Sequence, residues 1–229
     1  MLTRKTDSEG TWYPVAIHQY ETLLEKVICR GCGYSNVYAL RKNIAYNLQY
    51  LEFLHRSLED LKLSSVIEKQ IWKNFIIIGC GIIESLLHFL LIAKKHHKMI
   101  EWELKFVAPG QVKRIEGKQV RIDSYVYRKL TSPKNDQMTF DSMIKRAEKK
   151  KVLGGDHAVY ARLNNLRALR NRIHLQEIGN PLDTDWNSIE QNDFHTMSLV
   201  LKAVFTGTVF QPTADQKGFF DYLSGNKPA

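Results

Sequence analysis

The chain has 229 residues, 44% of them hydrophobic, which suffices for one generous domain or two small ones and excludes a fold that depends on staples. A formal net charge of +9 favours encounter with polyanions, nucleic acid first, without saying which. Three cysteines, Cys29, Cys32 and Cys80, are an odd number without a signal-peptide pattern before them, so a reducing cytoplasm is the expected compartment.

In chain order, residues 13–29 have helical spacing in Ala16, Tyr20, Leu23, Leu24 and Val27, and Cys29-Arg-Gly-Cys-Gly33 ends that helix. Cys29-x-x-Cys32 suits half of a tetrahedral metal site, but no second Cys/His pair completes it, so the expectation is a thiol-bearing turn, with no metal and no cofactor. Val37 to about Leu61 reads as a long amphipathic helix with a stripe of Leu40, Ile44, Leu48, Leu51, Leu54 and Leu58.

The next helix, 66–97, is apolar around most of its cylinder. Its stretch Phe75–Ala93 is long enough to span a membrane, but Glu84 sits at the middle with Ser85 and His88 close by, and a mid-bilayer carboxylate is costly. The expectation is therefore a central buried helix and no membrane.

Glu101 to Leu130 changes texture: apolar and polar residues alternate around a Pro109-Gly110 break, which predicts a β-hairpin inserted between helices. Ser132-Pro-Lys-Asn-Asp136 reads as a linker, and 139–153 as a short basic helix stopped by Gly154-Gly155. A helix follows from His157 to about Gln176, ending near Gly179-Asn-Pro181. A last helix spans about 186–209, capped by Asp185, and a tail from about 212 is expected to be loose. The expected class is all-α: one helical domain over 1–229 with a hairpin insertion at about 101–130.

The basic run includes Lys145, Arg146, Lys149, Lys150 and Lys151, and Arg162 lies on the next helix. Residues 141–174 hold nine Lys/Arg against three acids, a surplus suited to tracking the phosphates of RNA. On the following helix, with about 100° per residue and Arg167 at zero, Arg170 falls near 300°, Asn171 near 40° and His174 near 340°. They share one face, beside an apolar stripe of Leu166, Leu169 and Ile173, while Arg172 points elsewhere. RNA cleavage by its own 2′-hydroxyl needs a proton carrier near neutrality, which suits His174, and cations for the phosphorane charge, which suits arginine. The cluster offers a single imidazole, and a symmetric dimer apposing two such faces would supply a second. The same residues also suit a solvated helix face near its C-terminus.

The spacing of Arg167 and His174, the Arg170-Asn171 pair upstream of His174, and the preceding segment Phe140–Leu153 resemble HEPN-domain proteins. The segment Phe75–Leu91, with Glu84 in an apolar helix, is similar to an earlier bundle helix of that family. The resemblance covers 65–93 and 138–208, about half of the chain. It implies an antiparallel helical bundle, commonly a homodimer with the motif helices at the interface, and often metal-independent endoribonuclease activity. Such members occur as toxins with a cognate antitoxin protein, in abortive phage defence and in RNA-guided CRISPR effectors; inactive members serve as RNA-binding, partner-binding or scaffold modules. By that resemblance His174 is catalytic, an upstream arginine binds the scissile phosphate, and Glu84 supports the site. Here the sequence departs from the family's four-to-six-residue spacing: three residues separate Arg170 from His174, and Arg167 at six lacks a polar follower. Either arginine therefore qualifies.

Overall fold

The computed structural model describes residues 11–171 and 184–224. It comprises two compact units: a helical one formed by residues up to His96 and from Thr139 onward, and a β unit, His97–Met138.

In the helical unit, α1 (Ile17–Glu25), α2 (Val37–Asp60) and α3 (Ser65–Ala93) precede the β unit; α4 (Phe140–Lys149), α5 (His157–Asn171), α6 (Asp185–Ser188), α7 (Gln191–Thr206) and α8 (Ala214–Gly218) follow it. The centre is α3. From Phe75 onward its side chains are apolar around most of the cylinder, and Phe75, Ile76, Ile82, Ile83, Leu86, Leu87, Phe89, Leu90 and Leu91 are buried. Covering it takes α2, α4, α5, α6 and α7, all packed against it; each large side chain removed from water contributes roughly 1.5–3 kcal/mol. By length and composition α3 passes the test for a membrane span, yet 61% of its most apolar window is buried inside the protein.

Polar contacts fix the neighbours. Tyr20 on α1 donates its hydroxyl to Glu52 on α2 at 3.1 Å, inside the core. Lys69 on α3 donates to the carbonyl of Ile189 at 3.0 Å and lies 4.6 Å from the centroid of the Trp186 ring, pinning α6. The turn between α4 and α5 is held by Tyr160, whose hydroxyl accepts from Leu153 N at 2.9 Å and donates to Gly154 O at 3.1 Å. Gly154, at φ +108°, occupies backbone that side chains rarely adopt.

In the β unit, β1 (Met99–Ala108) pairs antiparallel with β4 (Ser124–Asn135), and β2 (Val112–Ile115) pairs with β3 (Lys118–Arg121) between them. Its open end is tied by Asp136 N donating to Lys98 O at 2.8 Å and by a Lys98–Asp136 ion pair at 2.6 Å.

The all-α expectation does not hold. The described residues are mixed, 57% helical and 15% strand, with two small antiparallel sheets. Ser132–Asn135, expected as linker, belongs to β4, where Lys134 pairs with Ile100 and Asn135 with Met99. Proline at 133 is tolerated there because a two-stranded sheet leaves one side of each strand without ladder partners. The expected last helix is divided: Thr184 caps α6, Ile189 and Glu190 are extended, and α7 starts afresh at Gln191. The break lets Ile189 enter the core. Nor is the described part of the segment after Gln211, up to Ser224, loose. It forms α8 and a 3₁₀ turn, Asp221–Ser224, with Phe220 stacked on Phe205 at 5.2 Å and Leu223 buried. Aromatic burial of this kind outweighs the polar residues around it.

Where α3 crosses α7, Gly79 allows Met197 to come within 2.9 Å of the place a Cβ would occupy, whereas a Cβ at Gly81, half a turn on, would meet nothing. Gly79→Val is expected to destabilise the fold by about 1–3 kcal/mol through overpacking, and Gly81→Ala to stabilise it by up to about 1 kcal/mol through helix propensity. Thermal unfolding of both variants checks this; equal shifts would show that the crossing is not tight.

Candidate functional site

The polar face of α5 opens into a cleft of about 640 Å3 lined by Glu84, Thr139, Phe140, Asp141, Arg167, Arg170 and Asn171. Local sequence explains how three helices meet there. On α5, Val159, Tyr160, Leu163 and Leu166 are buried, so the residues about a third of a turn away are carried to the rim. Phe140, Met143, Ile144 and Ala147 bury one face of α4 and bring its N-terminus to the same place. Thr139 caps that helix, its hydroxyl accepting from Ser142 N at 3.2 Å. Glu84 comes from the middle of α3.

Each guanidinium in the cleft has a carboxylate. Arg170 Nη2 lies 2.9 Å from Glu84 Oε2, and Arg167 Nη2 lies 3.2 Å from Asp141 Oδ1. Asp141 is shared: its other oxygen takes Lys145 Nζ at 2.7 Å. The hydrogen bond from Lys145, and then the charge of Arg167, hold the Asp141 carboxyl below the usual range, against the opposing effect of desolvation. An arginine carries five N–H donors, and one carboxylate oxygen leaves most of them for another acceptor. Among the described residues, Arg167 Nε and Asn164 Oδ1 are buried without a hydrogen-bond partner; such groups cost about 1–3 kcal/mol each. Behind the cleft, one turn before Glu84, Cys80 is fully buried. Burial pushes its thiol up to about 12, with Arg170 opposing and Glu84 reinforcing. That group is a neutral thiol and part of the wall, not a nucleophile.

The residues singled out from the sequence are therefore distributed as follows. Arg167, Arg170, Asn171 and Glu84 line one cleft; His174 lies outside the described residues, as does Arg172. Of the basic set, Lys145 stands at the cleft through Asp141, and Arg146 is engaged internally, its Nε donating to the carbonyl of His96. Lys149, Lys150 and Lys151 are exposed at the end of α4 and just after it, and Arg162 is half-buried on α5. Sequence reasoning passed over Asp141, whose one signal was its place four residues before Lys145, the spacing of a helical ion pair. It also passed over Asn164, one turn before Arg167. Cys29 and Cys32 form a turn in which the Cys32 thiol donates to the Cys29 carbonyl at 3.1 Å. Among the described residues no three His, Cys, Asp or Glu side chains gather as a metal site would require.

No protein-family model, curated protein or solved structure matches the chain.

Two measurements check its electrostatics. Cys80 should resist alkylation in the native protein at pH 8 while exposed Cys29 is modified, as read by mass spectrometry after labelling; rapid labelling of Cys80 in folded protein would contradict its burial. Because the folded pKa of Asp141 is below its unfolded value, near 3.8, its pairing stabilises the fold above that value and is lost only as pH falls through the folded one. A carboxyl-carbon titration by NMR should place its midpoint below 3.8.

Proposed function

We propose that the chain is a metal-independent endoribonuclease of HEPN type, cutting RNA by attack of a 2′-hydroxyl on the adjacent phosphate. What carries this is the cleft in which one face of α5 presents Arg167, Arg170 and Asn171 together, with His174 three residues beyond Asn171 in sequence. In the reaction the 2′-oxygen bonds to phosphorus, its proton passes to a base, the phosphorus–5′-oxygen bond breaks, and the leaving oxygen takes a proton. His174 is assigned the proton transfers. Arg167 and Arg170 are assigned the phosphorane charge, since a guanidinium fork matches phosphate oxygens, and Asn171 the orientation of the phosphate or the imidazole. Glu84 and Asp141 act as positioning residues: each holds an arginine in the cleft.

Acid and base roles usually need two proton-transfer groups. A homodimer apposing two such faces would provide His174 of the partner subunit as the second. The surplus of cations on 141–174, with Lys149, Lys150 and Lys151 exposed, suits an RNA strand leading away from the cleft. A toxin or phage-defence setting, with an antitoxin as protein partner, follows from the resemblance to HEPN-domain proteins, and a cytoplasmic location from the odd number of cysteines without a signal-peptide pattern.

A second reading has its own supporting observation. Both arginines are paired with carboxylates, as they would be in a noncatalytic RNA-binding or scaffold module where the motif only builds an interface. The two separate on one assay: purified protein with RNA in EDTA. The catalytic reading expects fragments ending in 2′,3′-cyclic phosphate and a loss of about 10²–10⁴-fold in rate for His174→Ala. It also expects a loss of about 10²–10³-fold for whichever of Arg167→Ala and Arg170→Ala removes the phosphate clamp. Cutting that persists undiminished in His174→Ala would sink it; RNA binding without cutting would favour the module.

A further inference from the structure

The β unit carries a surface that the cleft does not use. Opposite residues of an antiparallel pair share a face, and the register sets Trp102 opposite Lys129, Leu104 opposite Tyr127 and Val107 opposite Tyr125. The irregularity between Leu104 and Phe106 shifts the alternation of β1 by one residue. Val107 thereby joins Trp102 and Leu104 on the face that Tyr125, Tyr127 and Lys129 occupy on β4, while Phe106 and Val126 turn to the other side with the Glu103–Arg128 ion pair. One face of the hairpin is thus a continuous ladder of three aromatic and two aliphatic side chains. It lies open: Trp102 is 53% exposed, Tyr125 58% and Tyr127 52%. Lys129 Nζ stands 5.9 Å from the centroid of the Trp102 ring.

A two-stranded ribbon is marginal in water unless something covers it, and contiguous exposed apolar surface marks an interaction site. Charge identifies the occupant. Residues 97–138 hold nine Lys/Arg and five acids, a surplus of four; residues 141–174 have a surplus of six; the rest of the chain has 15 Lys/Arg against 16 acids. The whole positive excess therefore sits on the β unit and on the segment that builds the cleft. Within the β unit Arg128 and Lys105 are paired with Glu103, Arg121 with Asp123 and Lys98 with Asp136. Lys113, Arg114 and Lys118, on the β2–β3 ribbon, have no such pairing among the described residues. A second copy of this β unit, with the same surplus of four positive charges, would be repelled, whereas a polyanion with flat, stackable groups satisfies both rings and cations. On β4, residues two apart are about 6.8 Å apart, so Tyr125 and Tyr127 are spaced by two stacked base steps of about 3.4 Å.

We infer that the β hairpin is a binding platform for single-stranded RNA, with bases stacked on Trp102, Tyr125 and Tyr127 and the phosphate backbone drawn by Lys113, Arg114 and Lys118. The choice of RNA over single-stranded DNA rests on the endoribonuclease assignment; the stacking does not. Rings recruit any base, so the platform would hold a strand with little sequence preference.

The test uses the full-length chain in a His174→Ala background, so that the strand stays whole, and follows the fluorescence anisotropy of a labelled oligouridine. Trp102→Leu, Tyr125→Leu and Tyr127→Leu keep apolar bulk but remove the ring, and each should weaken binding roughly tenfold. Trp102→Phe, Tyr125→Phe and Tyr127→Phe keep a ring and should retain the affinity. Reversing Lys113, Arg114 and Lys118 to glutamate should weaken binding and flatten its salt dependence. Unchanged affinity in the leucine variants overturns the platform, as does equal loss in the leucine and phenylalanine sets. So does a leucine variant that changes oligomeric state in sizing while still binding RNA, because the face would then join two copies. Cleavage by the wild-type chain is scored separately: a chain that binds through these rings but never cuts loses the nuclease assignment and keeps the platform.

Discussion

A helix with apolar residues on every side can only be stable when it is surrounded, and α3 imposes that condition on the helical unit. Five helices pack on it. Their amphipathic patterns are answers to one demand: each offers a stripe to α3 and turns the remainder outward. Glu84 is the charged residue within the apolar stretch Phe75–Ala93 of α3. A carboxylate carried so far into an apolar helix has to find a cation or a route to water, and Arg170 of α5 supplies the cation at 2.9 Å. The same contact that relieves α3 orients the polar face of α5. In this protein, core packing and the geometry of the cleft are two sides of one helix–helix contact.

Much of this was legible in the sequence because periodicity reports burial. The stripe Leu40–Ile44–Leu48–Leu51–Leu54 placed α2, and the helical wheel of Arg167, Arg170 and Asn171 placed three side chains that do line one cleft. Glu84 stood out by chemistry alone, as a charge where none belongs. Asp141 was hidden for the opposite reason: an acid at the start of a basic helix is ordinary, and only tertiary packing brings it to Arg167. His174, to which the proposed reaction assigns the proton transfers, lies outside the described residues, and its place on that face is read from sequence spacing.

What failed to be read concerns strands and chain ends. Proline and polar residues at 132–135 suggested a linker, yet a two-stranded ribbon makes so few demands on its outer edges that such residues can extend it. A polar tail suggests a loose end, yet Phe220 packs on Tyr20 and Phe205 and Leu223 is buried, which outweighs the ordering of their polar neighbours. The division between α6 and α7 reflects a competition that local pattern does not show: burying Ile189 was worth two residues of helix.

The carboxylates beside Arg167 and Arg170 give the cleft a character unlike that of the lysines at 149–151. An anion arriving at an exposed lysine adds an ion pair and displaces loosely held counterions, so its binding weakens steeply with salt. An anion arriving at Arg167 or Arg170 meets a cation whose countercharge is covalently part of the protein, and what it gains is the difference between two pairings. The chain therefore holds two classes of fixed charge, like two resins in one column: one that captures any polyanion according to ionic strength, and one that exchanges only for a ligand whose geometry surpasses that of a carboxylate.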